Sequence, residues 1–193
     1  MAAVAVAESD VRDPNYLGSV ATAGLADAQQ VYQHFAQGSS SSNSHRMLPV
    51  LASAVKALYP EFQVSDMLKD SALPAYQRTA QTCGGEAEPE FTSEMLKPGW
   101  ESNRFVKEFF SRNTPSQKPA HGPLLVISGE ADAVIPAEMS VRTVARMCKQ
   151  GDRILFLKYP DLDASGVMGG SVADQIGWIK ARFAGYVAPS NCP

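Results

Sequence analysis

The segment Pro123-Leu124-Leu125-Val126-Ile127-Ser128 is a continuous apolar run without a charge in it. A strand with one wet face alternates polar and apolar residues. A run without alternation needs cover on both faces, as a buried parallel strand has. Pro136 then begins a helix at the position proline favours, and Gly151 stops that helix just after Lys149. Ile154–Tyr159 is the next strand. Ser171-Val172-Ala173-Asp174 has the form of a capping box, with Asp in place of the usual Glu or Gln. It opens a last helix through Trp178, Ile179 and Phe183, closed by Gly185. The order strand–helix–strand–helix predicts a right-handed parallel α/β unit.

The chain ahead of this unit has a different texture. Residues 2–9 are predicted as a helix of small residues, able to lie close against a sheet. Asp13-Pro14-Asn15 is a turn, and Leu17–Ala23 belongs to a short apolar strand broken by Gly24. Helical spacing follows at Ala26–Gln37 and at Met47–Leu58, where apolar residues recur on one face until Pro60. Shorter helices are predicted at Val64–Leu68, Ala75–Thr82 and Ser102–Ser111. Gly38–Ser44 reads as a flexible loop, Glu86–Pro89 as a polar break and Thr114–Gly122 as a Pro-rich linker. The expected organisation is 1–24, a helical segment 25–118, and the α/β part 119–193.

Bulk properties exclude more than they assign. A length of 193 residues suits one domain. Net charge is −3 with scattered basic residues, so no nucleic-acid partner is expected. No stretch of 18 apolar residues exists for a transmembrane segment, and the start lacks the basic leader of a signal peptide. Cys83, Cys148 and Cys192 fit no zinc spacing, and nothing calls for a metal or cofactor. Their odd number leaves one thiol free or paired with another chain.

Asp132 comes just past the C-terminal end of the 123–128 strand. Ligands of open α/β sheets collect at the carboxyl ends of the strands, and a carboxylate there can orient and stabilise a protonated imidazole. The alternative is that Gly129-Glu130-Ala131-Asp132 is a polar turn and Asp132 caps the next helix. One helix and one strand later stands Asp163-Ala164-Ser165-Gly166. A triad in the chain order Ser…Asp…His puts its base in such a loop, and the interval from 132 to 164 holds one helix, one strand and two loops. No Gly-x-Ser-x-Gly occurs in the chain. His34, His45 and His121 read as structural or solvated. Ser165 has no nucleophile elbow around it, and Cys83 has no partnered base.

Residues 119–192 resemble the C-terminal part of the α/β-hydrolase esterases and lipases, most of all the fungal secretory lipase family and related bacterial hydrolases. The resemblance rests on Gly-x-x-Asp-x-x-Ile-Pro at 129–136, Cys-x-x-Gly at 148–151, the Asp-x-Ser-Gly loop at 163–166, Trp-Ile-x-x-Arg-Phe-x-Gly at 178–185, and Cys192. It implies an α/β fold made of the last three parallel strands of a hydrolase sheet with flanking helices, plus an inserted helical cap at 25–118. It implies Asp132 as the triad acid and residue 164 as the seat of the triad histidine. Such families carry Asp-His-Ser-Gly or a near variant there; this chain carries Ala164. Residues 1–24 match the helix, turn and strand that come after a nucleophile elbow in these enzymes. The expected partner is therefore an N-terminal half carrying Gly-x-Ser-x-Gly on a second chain, with the strand at Leu17–Ala23 bare on one edge until that half is present. The substrate is expected to be a small-molecule ester or related acyl compound.

The late cysteine pair of those lipases implies a Cys148–Cys192 disulfide here, the alternative being two buried thiols. Bridging favours a secreted or other oxidising compartment and leaves Cys83 as the odd thiol. Two functional readings remain. One is a serine hydrolase silenced by a His-to-Ala change and divided between chains. The other is a hydrolase-fold protein that binds without turnover. Met47, Met67, Met95, Phe62, Phe91, Phe105, Phe109 and Phe110 either pack the cap or line a pocket in it.

Overall fold

The computed structural model describes residues 2–9, 15–24, 26–37, 47–81 and 91–193. Asp13-Pro14, the loop at 38–44, His45, Cys83 and the break at 86–89 lie outside the described residues. The chain forms two compact units, one of residues 1–27 with 114–193 and one of residues 28–113.

The first unit is a three-layer α/β/α arrangement. Strands β1 (Ser19–Thr22), β2 (Leu124–Gly129) and β3 (Ile154–Tyr159) form a parallel sheet in the order β1-β2-β3. Ala21, Val126 and Phe156 lie in one row across the sheet, and Val20, Leu125 and Leu155 in the next. The rows face opposite sides, as the pleat requires. On one side, Ala21, Leu124, Val126 and Ile154 pack under Val4 and Ala7 of helix α1 (Ala2–Ala7) and under Val144 and Met147 of a later helix, Ala137–Lys149. On the other, Leu125 and Ile127 pack under Val167 of a helix at Ala164–Gly170 and Trp178 of a helix at Val172–Phe183. All six residues of β2 are buried, which accounts for the unbroken apolar run.

The second unit is helical: α2 (Ala28–Ala36), α3 (Met47–Leu58), α4 (Leu73–Gln81) and α5 (Arg104–Asn113), joined in part by short 3-10 turns. The helices at Ala137–Lys149, Ala164–Gly170 and Val172–Phe183 are α6, α7 and α8. Leu48, Leu51 and Val55 of α3 and Val106 and Phe110 of α5 are buried, with Phe62, Met67 and Phe91. Those aromatic and methionine side chains therefore pack the unit itself.

Three local features differ from the sequence expectation. Pro136 has ψ 136°, so it sits just outside α6 as its N-cap rather than as its first helical residue. Ser171 does not form a capping box: its hydroxyl donates back to the Val167 carbonyl, 2.6 Å away, and so ends α7 as α8 begins. The Asp163–Gly166 stretch is the start of α7 rather than an open loop. Gly151 does stop α6, at φ 93°. Its N–H donates to the Cys148 carbonyl and the Asp152 N–H to that of Met147, the paired bonds of a Schellman end.

The two outer edges of the sheet are treated differently. The C-terminal tail runs along β3: the Asn191 N–H donates to the Ile154 carbonyl, its side-chain amide donates to the Phe156 carbonyl, and its Oδ1 accepts from the Phe156 N–H. A disulfide between Cys148 and Cys192, 44 residues apart in sequence, fastens the tail to the end of α6. Along β1, no described residue pairs with the edge away from β2. Closing a loop of that length contributes about 4 kcal/mol in the chain-entropy description. The Cys148→Ala/Cys192→Ala variant should lose most of that in denaturant unfolding, with the Asn191 bonds to β3 opening first in hydrogen exchange.

A buried polar cluster ties α1 to α6. Glu8 accepts from the Ser116 N–H, the Ser116 hydroxyl accepts from Arg146, and Gln150 donates to the Ser116 carbonyl. Asp152 accepts from the Ala120 N–H. Burial pushes the Glu8 carboxyl above its ordinary 4.5, outweighing the backbone N–H groups that favour its charged form. Burial likewise raises Asp152 above 3.8. A carboxyl raised in the folded state holds its proton more tightly there than when unfolded, so its contribution is fullest at low pH and is lost as pH rises through the folded value. Glu8→Gln/Asp152→Asn should therefore be more stable than the parent near neutral pH, with the difference closing as pH falls toward the ordinary carboxyl values. Chemical denaturation across that range measures it.

Candidate functional site

β2 and β3 are parallel, so their C-terminal ends open on the same rim of the sheet. Each delivers one loop to it. The loop after β2 contains Glu130, Ala131 and Asp132; the turn after β3 contains Pro160, Asp161 and Leu162 and leads into α7. The two are fastened through their backbones. The Glu130 N–H donates to the Tyr159 carbonyl at 2.9 Å, and the Ala131 N–H to the Leu162 carbonyl at 3.1 Å. An ion pair of Lys158 with Glu130 at 2.7 Å lies beside them on the exposed side.

Gly129 makes this approach possible. A Cβ built on it would stand 2.1 Å from the Leu162 carbonyl oxygen and 3.0 Å from that of Asp163. Any side chain here would push the second loop away from the first. Gly129 stands out in the sequence only as one position of the 129–136 run; a contact thirty-odd residues away along the chain leaves no local signature.

Asp132 is 6% exposed. Its Oδ1 accepts from the Val134 N–H at 2.8 Å and the Ile135 N–H at 2.9 Å. The carboxylate thus closes a turn of its own loop ahead of α6, which is the polar-turn role open to it from the sequence. Among the described residues no hydrogen bond occupies Oδ2, which keeps one oxygen for another donor.

Ala164 is the first residue of α7 and is half-buried. Asp163 is the N-cap: its Oδ1 accepts from the Gly166 N–H at 2.7 Å, and its carbonyl from the Val167 N–H. The cap fixes the backbone at 164 and hence the direction of any side chain placed there. The adjoining Leu162 carries the carbonyl bonded to Ala131, so residues 132 and 164 stand on neighbouring, mutually tied segments.

The remaining sequence candidates fall elsewhere. Ser165 is exposed on the first turn of α7. His121 precedes β2, at the opposite end of that strand from Asp132; its Nε2 is hydrogen-bonded to the Ser9 carbonyl at 2.6 Å. His34 belongs to α2 in the other unit and packs against Phe35. Among the described residues there is no cluster of side chains suited to a metal ion. No helix among them is long and apolar enough to cross a membrane.

No protein-family model and no curated protein sequence matches the chain. Solved structures do. The closed state of Candida antarctica lipase A superposes with a TM-score of 0.79 and 15% identity over 98% of this chain and 47% of the lipase chain. A second structure of Candida antarctica lipase A gives a TM-score of 0.61 at 15% identity over 80% of this chain and 42% of that one. The chain shares the α/β fold of the part of that lipase it superposes on. It spans about half the length of the lipase chains it matches. With so few identical residues, this likeness concerns the fold alone.

Because the Leu162 carbonyl leaves no room for a Cβ, Gly129→Ala should destabilise the first unit by about 3 kcal/mol, the upper part of the range for overpacking. Thermal unfolding measures the loss. Faster hydrogen exchange at Ala131 should accompany it, since its bond to Leu162 is the first to lengthen.

Proposed function

We propose that this chain contributes the acid and base segments of a serine hydrolase, with Asp132 as the triad acid and residue 164 as the seat of the base. The nucleophile would be a serine in a Gly-x-Ser-x-Gly turn carried by a polypeptide outside this sequence, and residues 25–118 would form the lid. The observation that carries the reading is the backbone tie between Ala131 and Leu162. It joins the buried carboxylate's loop to the segment on which residue 164 stands. The lipase fold supports the class of chemistry, hydrolysis of an ester or related acyl bond, and the Cys148–Cys192 disulfide supports a secreted or other oxidising setting.

In this mechanism a histidine at 164 would take the serine proton from about 3 Å and return it to the leaving group. Asp132 would hold the imidazole by its free oxygen and stabilise the imidazolium. Its other oxygen, pinned by the Val134 and Ile135 N–H groups, keeps the carboxylate from turning away. Ala164 removes the proton carrier and leaves the frame intact, so the chain as it stands is a silenced hydrolase segment.

A second reading follows from Ala164 itself: a hydrolase fold retained for binding, without turnover. Restoring the base separates the two. With the nucleophile-bearing segment supplied, Ala164→His should hydrolyse activated p-nitrophenyl esters where the parent does not. Adding Asp132→Asn should then lower kcat by about 10⁴, the loss seen when the same change is made in a serine protease triad. An Ala164→His protein inert to every ester tried would leave the binding reading standing.

A further inference from the structure

The first unit carries a second concave surface, at the end of the sheet away from Asp132. A cavity of about 540 Å³ lies between the start of β1 and the C-terminal half of α8, lined among others by Leu17, Val20, Trp178, Ile179, Arg182 and Phe183. Its floor holds two buried polar side chains, Arg182 lying 5.2 Å from the centre of the Trp178 ring, with donor atoms that no described residue accepts from. Arg182 is 6% exposed; its Nη2 donates to the Val187 carbonyl, but Nε and Nη1 donate to nothing. Trp178 is 7% exposed and its indole N–H is equally unmet. A buried guanidinium with idle N–H groups is costly unless an acceptor, preferably a charged one, reaches it.

The walls point to a polypeptide rather than a small anion. Phe183 is 79% exposed, and Leu17 and Ile179 stand open beside it, an apolar rim of the kind that marks a protein contact. The backbone points the same way. The Ser19 and Ala23 N–H groups donate to the Pro123 and Ile127 carbonyls of the β2 segment. By strand alternation, the N–H and C=O groups of Val20 and Thr22 face outward, where no described residue meets them. At the other edge of the sheet the Asn191 tail fills the corresponding positions on β3.

We propose that the groove receives an extended segment of a polypeptide outside this chain, which adds a strand to β1 and sets an aspartate or glutamate carboxylate against Arg182. The backbone of the segment satisfies Val20 and Thr22, its carboxylate neutralises the guanidinium, and an acceptor beside it takes the Trp178 N–H. Leu17, Ile179 and Phe183 are covered by its flanking apolar residues. The inference rests on the hydrolase reading for the source of the segment, the half of the lipase fold that this chain does not span. It is tested by association and not by turnover, so either can fail without the other.

Trp100→Phe leaves Trp178 as the sole indole of the 193-residue protein. The probes are synthetic decapeptides of alternating valine and threonine with one glutamate moved through every position, each with a glutamine twin. At least one glutamate peptide should shift Trp178 fluorescence on titration and protect the Val20 and Thr22 amides from hydrogen exchange. Its glutamine twin should bind at least tenfold more weakly, and Arg182→Met, checked for folding by circular dichroism, should abolish the difference. Failure of every glutamate peptide, equal binding of the twin, or an unchanged preference in the Arg182→Met protein overturns the proposal. So does the same fluorescence shift with acetate alone and no amide protection, which assigns the groove to a small anion. Light scattering that shows a dimer with Val20 and Thr22 already protected assigns it to a second copy of the chain.

Discussion

Much of the candidate site hangs on one close approach, the Leu162 carbonyl lying across the bare Cα of Gly129. Parallel strands bring their ends to a common rim but do not by themselves bring two loops into register. Here the missing side chain at the last residue of β2 lets the backbone after β3 fold over it, and the Ala131–Leu162 hydrogen bond locks the result. Leu162 then sits between the sheet and α7, which starts two residues later, and the packing of Val167 under Leu125 and Ile127 holds that helix down. Remove the approach and α7 loses its anchor at the same time as the Asp132 loop loses its neighbour.

The features legible in the sequence were those that local chemistry dictates. The apolar run of β2 requires cover on both faces, and the structure gives it two helical layers. Gly151 ends α6 because a left-handed residue without a Cβ penalty is needed there, and the paired terminal bonds follow. The features that escaped are set by distant partners. Ser171 followed by Asp174 has the pattern of a helix start, yet the serine hydroxyl finds a nearer acceptor in the Val167 carbonyl, and the pattern cannot show that a helix ends there. Ala164 reads as part of a loop because Asp163, Ser165 and Gly166 are turn formers; Asp163 instead acts as an N-cap, the other use of the same short polar side chain. Gly129 and Asn191 look ordinary in sequence, and their roles exist only once β3 and the tail are in place.

The structural and catalytic readings of Asp132 do not compete. A carboxylate has two oxygens and about four acceptor sites. Two backbone donors of its own loop hold Oδ1, which fixes the plane of the group without consuming Oδ2. A group meant to orient an imidazole has to be fixed before the imidazole arrives, because reorganisation during reaction costs what preorganised dipoles avoid. The turn at 132–135 is therefore the kind of support a triad acid would need, and the polar-turn role of Asp132 is compatible with that role rather than its rival.

The same reasoning separates the two ends of the sheet. At the C-terminal rim the polar groups are engaged with one another: Asp132 with its loop, Asp163 with α7, Lys158 with Glu130. At the other end, beside β1, Arg182 and Trp178 are buried as deeply as Asp132, yet most of their donors meet no described acceptor. A fold keeps buried donors idle at a cost of about 1–3 kcal/mol each, eased for Arg182 by its guanidinium lying 5.2 Å from the centre of the Trp178 ring. Along β3 the chain resolves the equivalent problem for its backbone by laying Asn191 on the edge and fastening the tail with a disulfide. The contrast places the unmet donors on one side only, between β1 and α8, where the outward backbone groups of β1 and the Arg182 and Trp178 donors lack partners among the described residues.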